Sequence, residues 1–184
     1  VTPVYGHEVP PMVRGFLREC TFETEYFYMV LTYGCRHGGA AELAKALCDE
    51  CGVRVDYINT LHMVDNWLPS FDMDAEHAMD KHIPEQLAAI TADVAARKRA
   101  VSPVTEEDRA AHREYMRSIS GVPEALWQQL VTVTDRCVGC GVCTRVCPAD
   151  CMVLKDGRAM HVPGSCQDCL GCGHACPPKA IALA

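Results

Sequence analysis

The 184-residue chain lacks any apolar run of the roughly 18 residues that a membrane-spanning helix needs, and its start shows no leader-peptide pattern. Basic residues are outnumbered, with Lys+Arg 17 against Asp+Glu 24. The net charge of −7 and a pI near 5.6 argue against nucleic acid as a partner. An acidic balance suits instead a chain that meets proteins bearing basic docking patches. Also missing are a phosphate-cradling P-loop, a dinucleotide fingerprint and any Ser/His/Asp order for nucleophilic catalysis. The length suits one ordinary domain and one small one.

Cysteine, by contrast, is abundant at 13 residues. Eight fall into two copies of one run, Cys137-x2-Cys140-x2-Cys143-x3-Cys147-Pro148 and Cys166-x2-Cys169-x2-Cys172-x3-Cys176-Pro177, offset throughout by 29 residues. The C-terminal segment is therefore an internal duplication. A cubane cluster needs four thiolates around one small object, and a tight loop with two residues between ligands can supply three of them. Gly139, Gly141, Gly171 and Gly173 lie between the cysteines, where positive φ would let backbone N–H groups turn toward sulfur. Zinc also takes Cys-x2-Cys pairs, but it leaves the third cysteine and the Cys-Pro step of each copy unexplained. The spacing points to iron–sulfur clusters over zinc or disulfides, in a reducing, cytoplasmic setting. Cys151 aligns with Ala180 and reads as a small buried site, not a ligand.

Ahead of these runs the pattern is α/β. Val1–Tyr5 reads as the end of a strand cut from a longer protein, followed by a short helix over Pro11–Cys20. Glu25–Tyr33 has the aromatic and β-branched content of a strand and leads into the loop Gly34-Cys35-Arg36-His37-Gly38-Gly39. Leu43, Ala44, Leu47 and Cys48 predict a helix over Ala40–Cys51 that stops at Gly52, and Val53–Ile58 reads as the next strand. That succession is a βαβ unit with parallel strands. A helix over Ile83–Arg99 is expected to end on the basic Arg97-Lys98-Arg99, with Ser102-Pro103 breaking it. Thr105-x-x-Asp108 resembles a capping box for a helix running to about Ser118, and Gly121–Val131, with Trp127, completes a helical connector. The expected organisation is an α/β domain over 1–100, the connector over 101–133 and a cluster domain over 134–184.

Residues 134–184 resemble a bacterial two-[4Fe-4S] ferredoxin domain. The resemblance implies one-electron transfer and a crossed ligand set. Cluster I would take Cys137, Cys140, Cys143 and Cys176, and cluster II would take Cys166, Cys169, Cys172 and Cys147. The whole chain is similar in layout to flavodoxin–ferredoxin fusion proteins of anaerobic prokaryotes, through Pro3-Val4-Tyr5-Gly6, Thr32-Tyr33-Gly34 and Asp65-Asn66-Trp67-x-Pro69. The fold it implies is an incomplete flavodoxin-like parallel sheet with helices, then a small α+β two-cluster ferredoxin domain. By that likeness Tyr5, Gly6, Tyr33, Gly34 and Gly38 would neighbour flavin mononucleotide in the full-length protein. The same residues also read as strand-end aromatics and turn glycines. The family's Ser/Thr-rich phosphate loop and its first two strands have no counterpart in these residues.

Other clusters have plain readings. Cys48-x2-Cys51 looks like two buried helix cysteines, while Cys20 and Cys35 stand singly. His62, His77 and His82 lie among Asp72, Asp74, Glu76 and Asp80, which reads as a solvated acidic segment and not a metal site. The expectation is an electron carrier with two [4Fe-4S] clusters and redox-protein partners. Its alternatives are a ferredoxin fused to a flavin-free docking module, or a flavoenzyme reducing a small substrate with the clusters as its relay.

Overall fold

A computed structural model describes residues 1–67, 69–123 and 129–183. Trp127, singled out in the sequence, and Leu68, between Trp67 and Pro69, lie outside the described residues. The chain divides into two compact units, Val1–Asn66 with Asp72–Ser120, and Trp67–Phe71 with Gly121–Ala184.

The first unit carries β1 (Thr2–Pro3), α1 (Pro11–Glu19), β2 (Tyr28–Tyr33), α2 (Ala40–Glu50), β3 (Tyr57–His62), α3 (Met73–Ala78), α4 (Ile83–Ala95), β4 (Ala100–Val101) and α5 (Glu106–Ile119). Its strands form one parallel sheet in chain order, β1-β2-β3-β4. Alternation along β2 sends Met29 and Leu31 to one face, into a core with Leu17, Ala41, Ala44, Leu47 and Cys48 of α1 and α2. Val30 and Tyr57 face the other way, against Ile90 and Val94 of α4. Helices thus pack on both faces, as a parallel sheet requires.

Three boundaries differ from expectation, each for a local reason. The strand expected at Val53–Ile58 runs over Tyr57–His62, because sheet pairing starts where Asp56 N–H donates to Phe27 O (2.8 Å). Val53 and Val55 are buried on the approach to it. α4 stops at Ala95, short of its basic triplet. Arg97 turns left-handed (φ 49°), its N–H reaching Val94 O and that of Lys98 reaching Asp93 O, a Schellman closure made without glycine. The released Ala100–Val101 then pairs with β3 as a fourth strand. Thr105 and Asp108 do form the capping box of α5.

The second unit carries β5 (Val131–Val133), α6 (Val142–Val146), β6 (Met152–Lys155), β7 (Arg158–His161), α7 (Gly171–His174) and β8 (Ile181–Leu183). Each copy of the 29-residue repeat folds as strand, cysteine loop, short helix and strand. Neither copy pairs with itself: β5 of the first binds β8 of the second, and β6 of the first binds β7 of the second, both antiparallel. The β6–β7 connection is Asp156-Gly157, both at positive φ (51° and 75°), the two-residue turn whose twist suits a hairpin.

Back in the first unit, Glu76 and Lys81 are among the few buried charges. Lys81 Nζ donates to Glu76 Oε2 (2.7 Å) and Gly34 O (3.1 Å), and Glu76 Oε2 also accepts from Asp65 N–H (3.0 Å). The Lys81 bond holds the Glu76 carboxyl below its usual range. Glu76 is thus no solvated acid: it ties the β3–α4 connection to the end of β2. Removing one partner strands a buried charge, so Lys81→Met should destabilise this unit by about 3 kcal/mol in denaturant unfolding. Lys81→Met with Glu76→Leu should regain most of that loss; a double variant as weak as the single one would contradict the ion-pair account.

Candidate metal centres

The eight repeat cysteines sort into two sets in space. Cys137, Cys140 and Cys143 of the first run line a cavity with Cys176 of the second. Cys166, Cys169 and Cys172 line another with Cys147 of the first. Among the described residues no three His, Cys, Asp or Glu side chains converge on a point fit for a single ion. Each set of four lines one hollow, an arrangement suited to a multi-atom cluster.

Backbone N–H groups turn toward the sulfurs in a pattern that repeats every 29 residues. Cys151 N–H donates to Cys147 Sγ and Ala180 N–H to Cys176 Sγ, both at 3.2 Å. Gly139 N–H reaches Cys137 and Asp168 N–H reaches Cys166; Thr144 and Gly173 do the same for Cys143 and Cys172. Ala159 N–H adds a 3.3 Å bond to Cys137 Sγ, and with Gly139 holds that thiol below its usual range. Burial acts oppositely elsewhere, pushing Cys166 up to about 12 and Cys172 up to about 11. Bound iron overrides such burial, because a coordinating thiol is deprotonated outright.

Cys151 and Ala180 occupy the same buried niche (3% and 1% exposed) and offer the same N–H. Cys151 borders the second cavity, but its thiol donates to Ala149 O at 3.4 Å. The glycines are only half as expected. Gly139 and Gly141 sit at φ 67° and 70°, whereas Gly171 and Gly173 are ordinary helical residues of α7. The offset of 29 matches Gly139 and Gly141 to Asp168 and Leu170, and these non-glycine residues take the left-handed angles (φ 51° and 56°). Aligning by register, not by glycine, would have found them. The Asp168 carboxyl bonds the Cys166 side chain, but its buried Oδ1 has no hydrogen-bond partner among the described residues, and burial raises the carboxyl above its usual range.

The residues expected beside flavin gather at the carboxyl ends of β1 and β2, but their surfaces are taken. Tyr5 and Glu8 exchange backbone bonds (2.8 and 3.1 Å) around a tight turn. Side chains close over the three glycines: a Cβ would run into the Tyr115 hydroxyl at Gly6, the Asp65 carboxylate at Gly34 and the His7 ring at Gly38. The Tyr33 ring stacks on His62 (centroids 5.0 Å, 12° apart) and meets His37 edge-on. His62 Nε2 and Lys81 Nζ both bind Gly34 O, at 2.6 and 3.1 Å. As the side chains stand, Tyr115, Asp65 and His7 occupy the space beside these glycines that a flavin would need.

The remaining candidates do not gather into a site among the described residues. Cys48 is fully buried with its sulfur 3.6 Å from Met29 Sδ, and burial pushes its thiol up to about 11. Asp72 caps α3 by accepting from Asp74 N–H and Ala75 N–H. His82 pairs with Asp80 at the surface, and Cys20 and Cys35 are exposed.

Residues 129–177 match the 4Fe-4S dicluster domain family. A ferredoxin of Pyrobaculum islandicum is 33% identical over 61 residues, covering 33% of this chain and 57% of the relative. The chain thus spans little more than half the length of this curated relative. No helix among the described residues is long and apolar enough to cross a membrane.

At the equivalent loop positions the two copies should respond oppositely to substitution. Gly139→Ala drives a methyl into the Gly157 carbonyl at a left-handed angle and should cost iron content and thermal stability. Asp168→Gly relieves the same angle and removes an unpartnered buried oxygen, so it should raise stability by about 1 kcal/mol. Melting of the iron-loaded chain, followed by cluster absorbance, reads both. Equal effects of the two changes would refute the equivalence of the loops.

Proposed function

We propose that the chain is an electron carrier whose C-terminal unit binds two [4Fe-4S] clusters with crossed ligation. Cluster I is held by Cys137, Cys140, Cys143 and Cys176, and cluster II by Cys166, Cys169, Cys172 and Cys147. The observation that carries this reading is the sharing of each cavity by three cysteines of one run and the fourth of the other. The dicluster match and the ferredoxin relative support it. Each bound cluster takes up or gives one electron at a time. The residues around it supply thiolates, exclude water and present N–H dipoles to sulfur, which raise the potential by stabilising the more negative, reduced state. No side chain has to move a proton. Cys151 is a filler that delivers its backbone N–H. The setting is a reducing, cytoplasmic one with redox proteins as partners, since cluster ligands must stay as thiolates and not disulfides.

The α/β unit reads best as a flavin-free docking module, favoured by the covered faces of Gly6, Gly34 and Gly38. FMN, which the flavodoxin likeness would put at these strand ends in a longer protein, has no part in this reading, and neither does reduction of a small substrate.

Anaerobic reconstitution should yield about eight iron and about eight sulfide per chain. Cys176→Ser and Cys140→Ser should abolish the same electron-paramagnetic-resonance signal, while Cys147→Ser and Cys166→Ser abolish the other. Cys151→Ala should keep both. Loss of one signal by Cys176→Ser together with Cys166→Ser, each leaving the Cys140→Ser signal intact, would replace crossed with uncrossed ligation.

A further inference from the structure

The two cavities differ in the exposure of one cysteine and in surrounding charge. Of the eight cysteines Cys140 is the exposed one; the others are buried or half-buried. Beside it Val138 is 70% exposed, and both residues line the first cavity. Cations surround this mouth. Arg136 directly precedes Cys137, and the exposed Lys179 stands between the lining residues Pro178 and Ala180. Arg145 Nη1 lies 3.5 Å from where a Cβ would stand on Gly141. Arg158, next to the lining Ala159, binds Thr134 O (3.0 Å) and Asp135 Oδ1 (3.1 Å), so Asp135 is paired. Asp156 in the hairpin turn is the other acid on this side.

The second cavity has the opposite character. Neither lining itself holds a lysine or arginine, but Asp168 and His161 line the second cavity, and Asp150 follows its lining Pro148 and Ala149. The net charge of the chain conceals this contrast. Residues 129–184 hold five lysines and arginines against four aspartates, whereas residues 1–128 hold twelve against twenty acids. The acidic excess therefore lies outside the cysteine-bearing unit, and the overall charge of −7 gives the wrong sign for the surface beside the thiols.

We propose that the first cavity is the electron port and that its basic, apolar-centred mouth receives an acidic partner protein. This rests on the two-cluster reading. Exposure of Cys140 shortens the path to an external acceptor, Val138 supplies the dry contact, and Arg136, Arg145 and Lys179 steer carboxylates toward it. The second cavity, flanked by Asp150 and Asp168, exchanges electrons through the first.

The test uses the full, iron-loaded chain, reduced with dithionite and mixed in stopped flow with ferricyanide or with hexaamminecobalt(III). Oxidation by ferricyanide should slow with added salt, and at low salt should fall on the order of tenfold in Arg136→Glu/Lys179→Glu. The neutral pair Arg136→Gln/Lys179→Gln should show an intermediate loss. Oxidation by the cobalt cation should quicken in the same variants. Polyglutamate should protect the parent chain, but not the Arg136→Glu/Lys179→Glu variant, from ferricyanide. Asp150→Lys, at the other mouth, should leave the ferricyanide rate unchanged. A rate indifferent to Arg136 and Lys179, or one as sensitive to Asp150→Lys, would overturn the port assignment. A parent chain that binds no iron would overturn the cluster reading instead.

Discussion

Everything in the C-terminal unit depends on one constraint: each half of the repeat is completed by the other. Both two-stranded ladders join copy to copy, and both cavities borrow their fourth cysteine across the same seam. A strand pair of three or four residues is marginal alone. Here β5–β8 and β6–β7 sit over a small core of Cys143, Met152 and Ala159, with Cys137, Cys147 and Cys172 packed against it. In so small a unit the cysteines are core residues as well as candidate ligands. The fold and the candidate metal sites therefore share their stabilising contacts.

The α/β unit is organised around a different necessity. Its parallel sheet ends in loops whose backbone carbonyls and N–H groups need partners, and this chain supplies them from its own side chains. Gly34 O takes bonds from Lys81 and His62, and Asp65, His7 and Tyr115 cover the neighbouring glycines. The buried Glu76–Lys81 pair anchors that closure. A strand-end crevice that in other α/β proteins receives a ligand is here packed with protein.

The sequence was most legible where chemistry leaves a rigid spacing. The cysteine runs, the Cys151–Ala180 equivalence and the Thr105–Asp108 capping box were all readable, because each depends on residues at fixed offsets. Less readable were features decided by tertiary competition. β4 is only two residues long, too short to show a period, and exists because Arg97 closes α4 early. The burial of Glu76 and Lys81 was hidden because a charged run looks the same whether solvated or paired inside. Gly171 and Gly173 misled by composition: they resemble the loop glycines of the first copy but fall in a helix, while Asp168 and Leu170 take the strained angles.

The interlaced pairing also imposes an order on synthesis. Read from the amino terminus, the β6–β7 hairpin can close as soon as His161 has emerged, since its partners are separated only by Asp156-Gly157. The second cavity has all four of its thiols once Cys172 is made. The first cavity holds three thiols early, at Cys137, Cys140 and Cys143, yet waits for Cys176, and β5 waits for β8. The cysteine-bearing unit thus closes from its middle outward, and the cavity that contains the exposed Cys140 is the last to gain its fourth thiol.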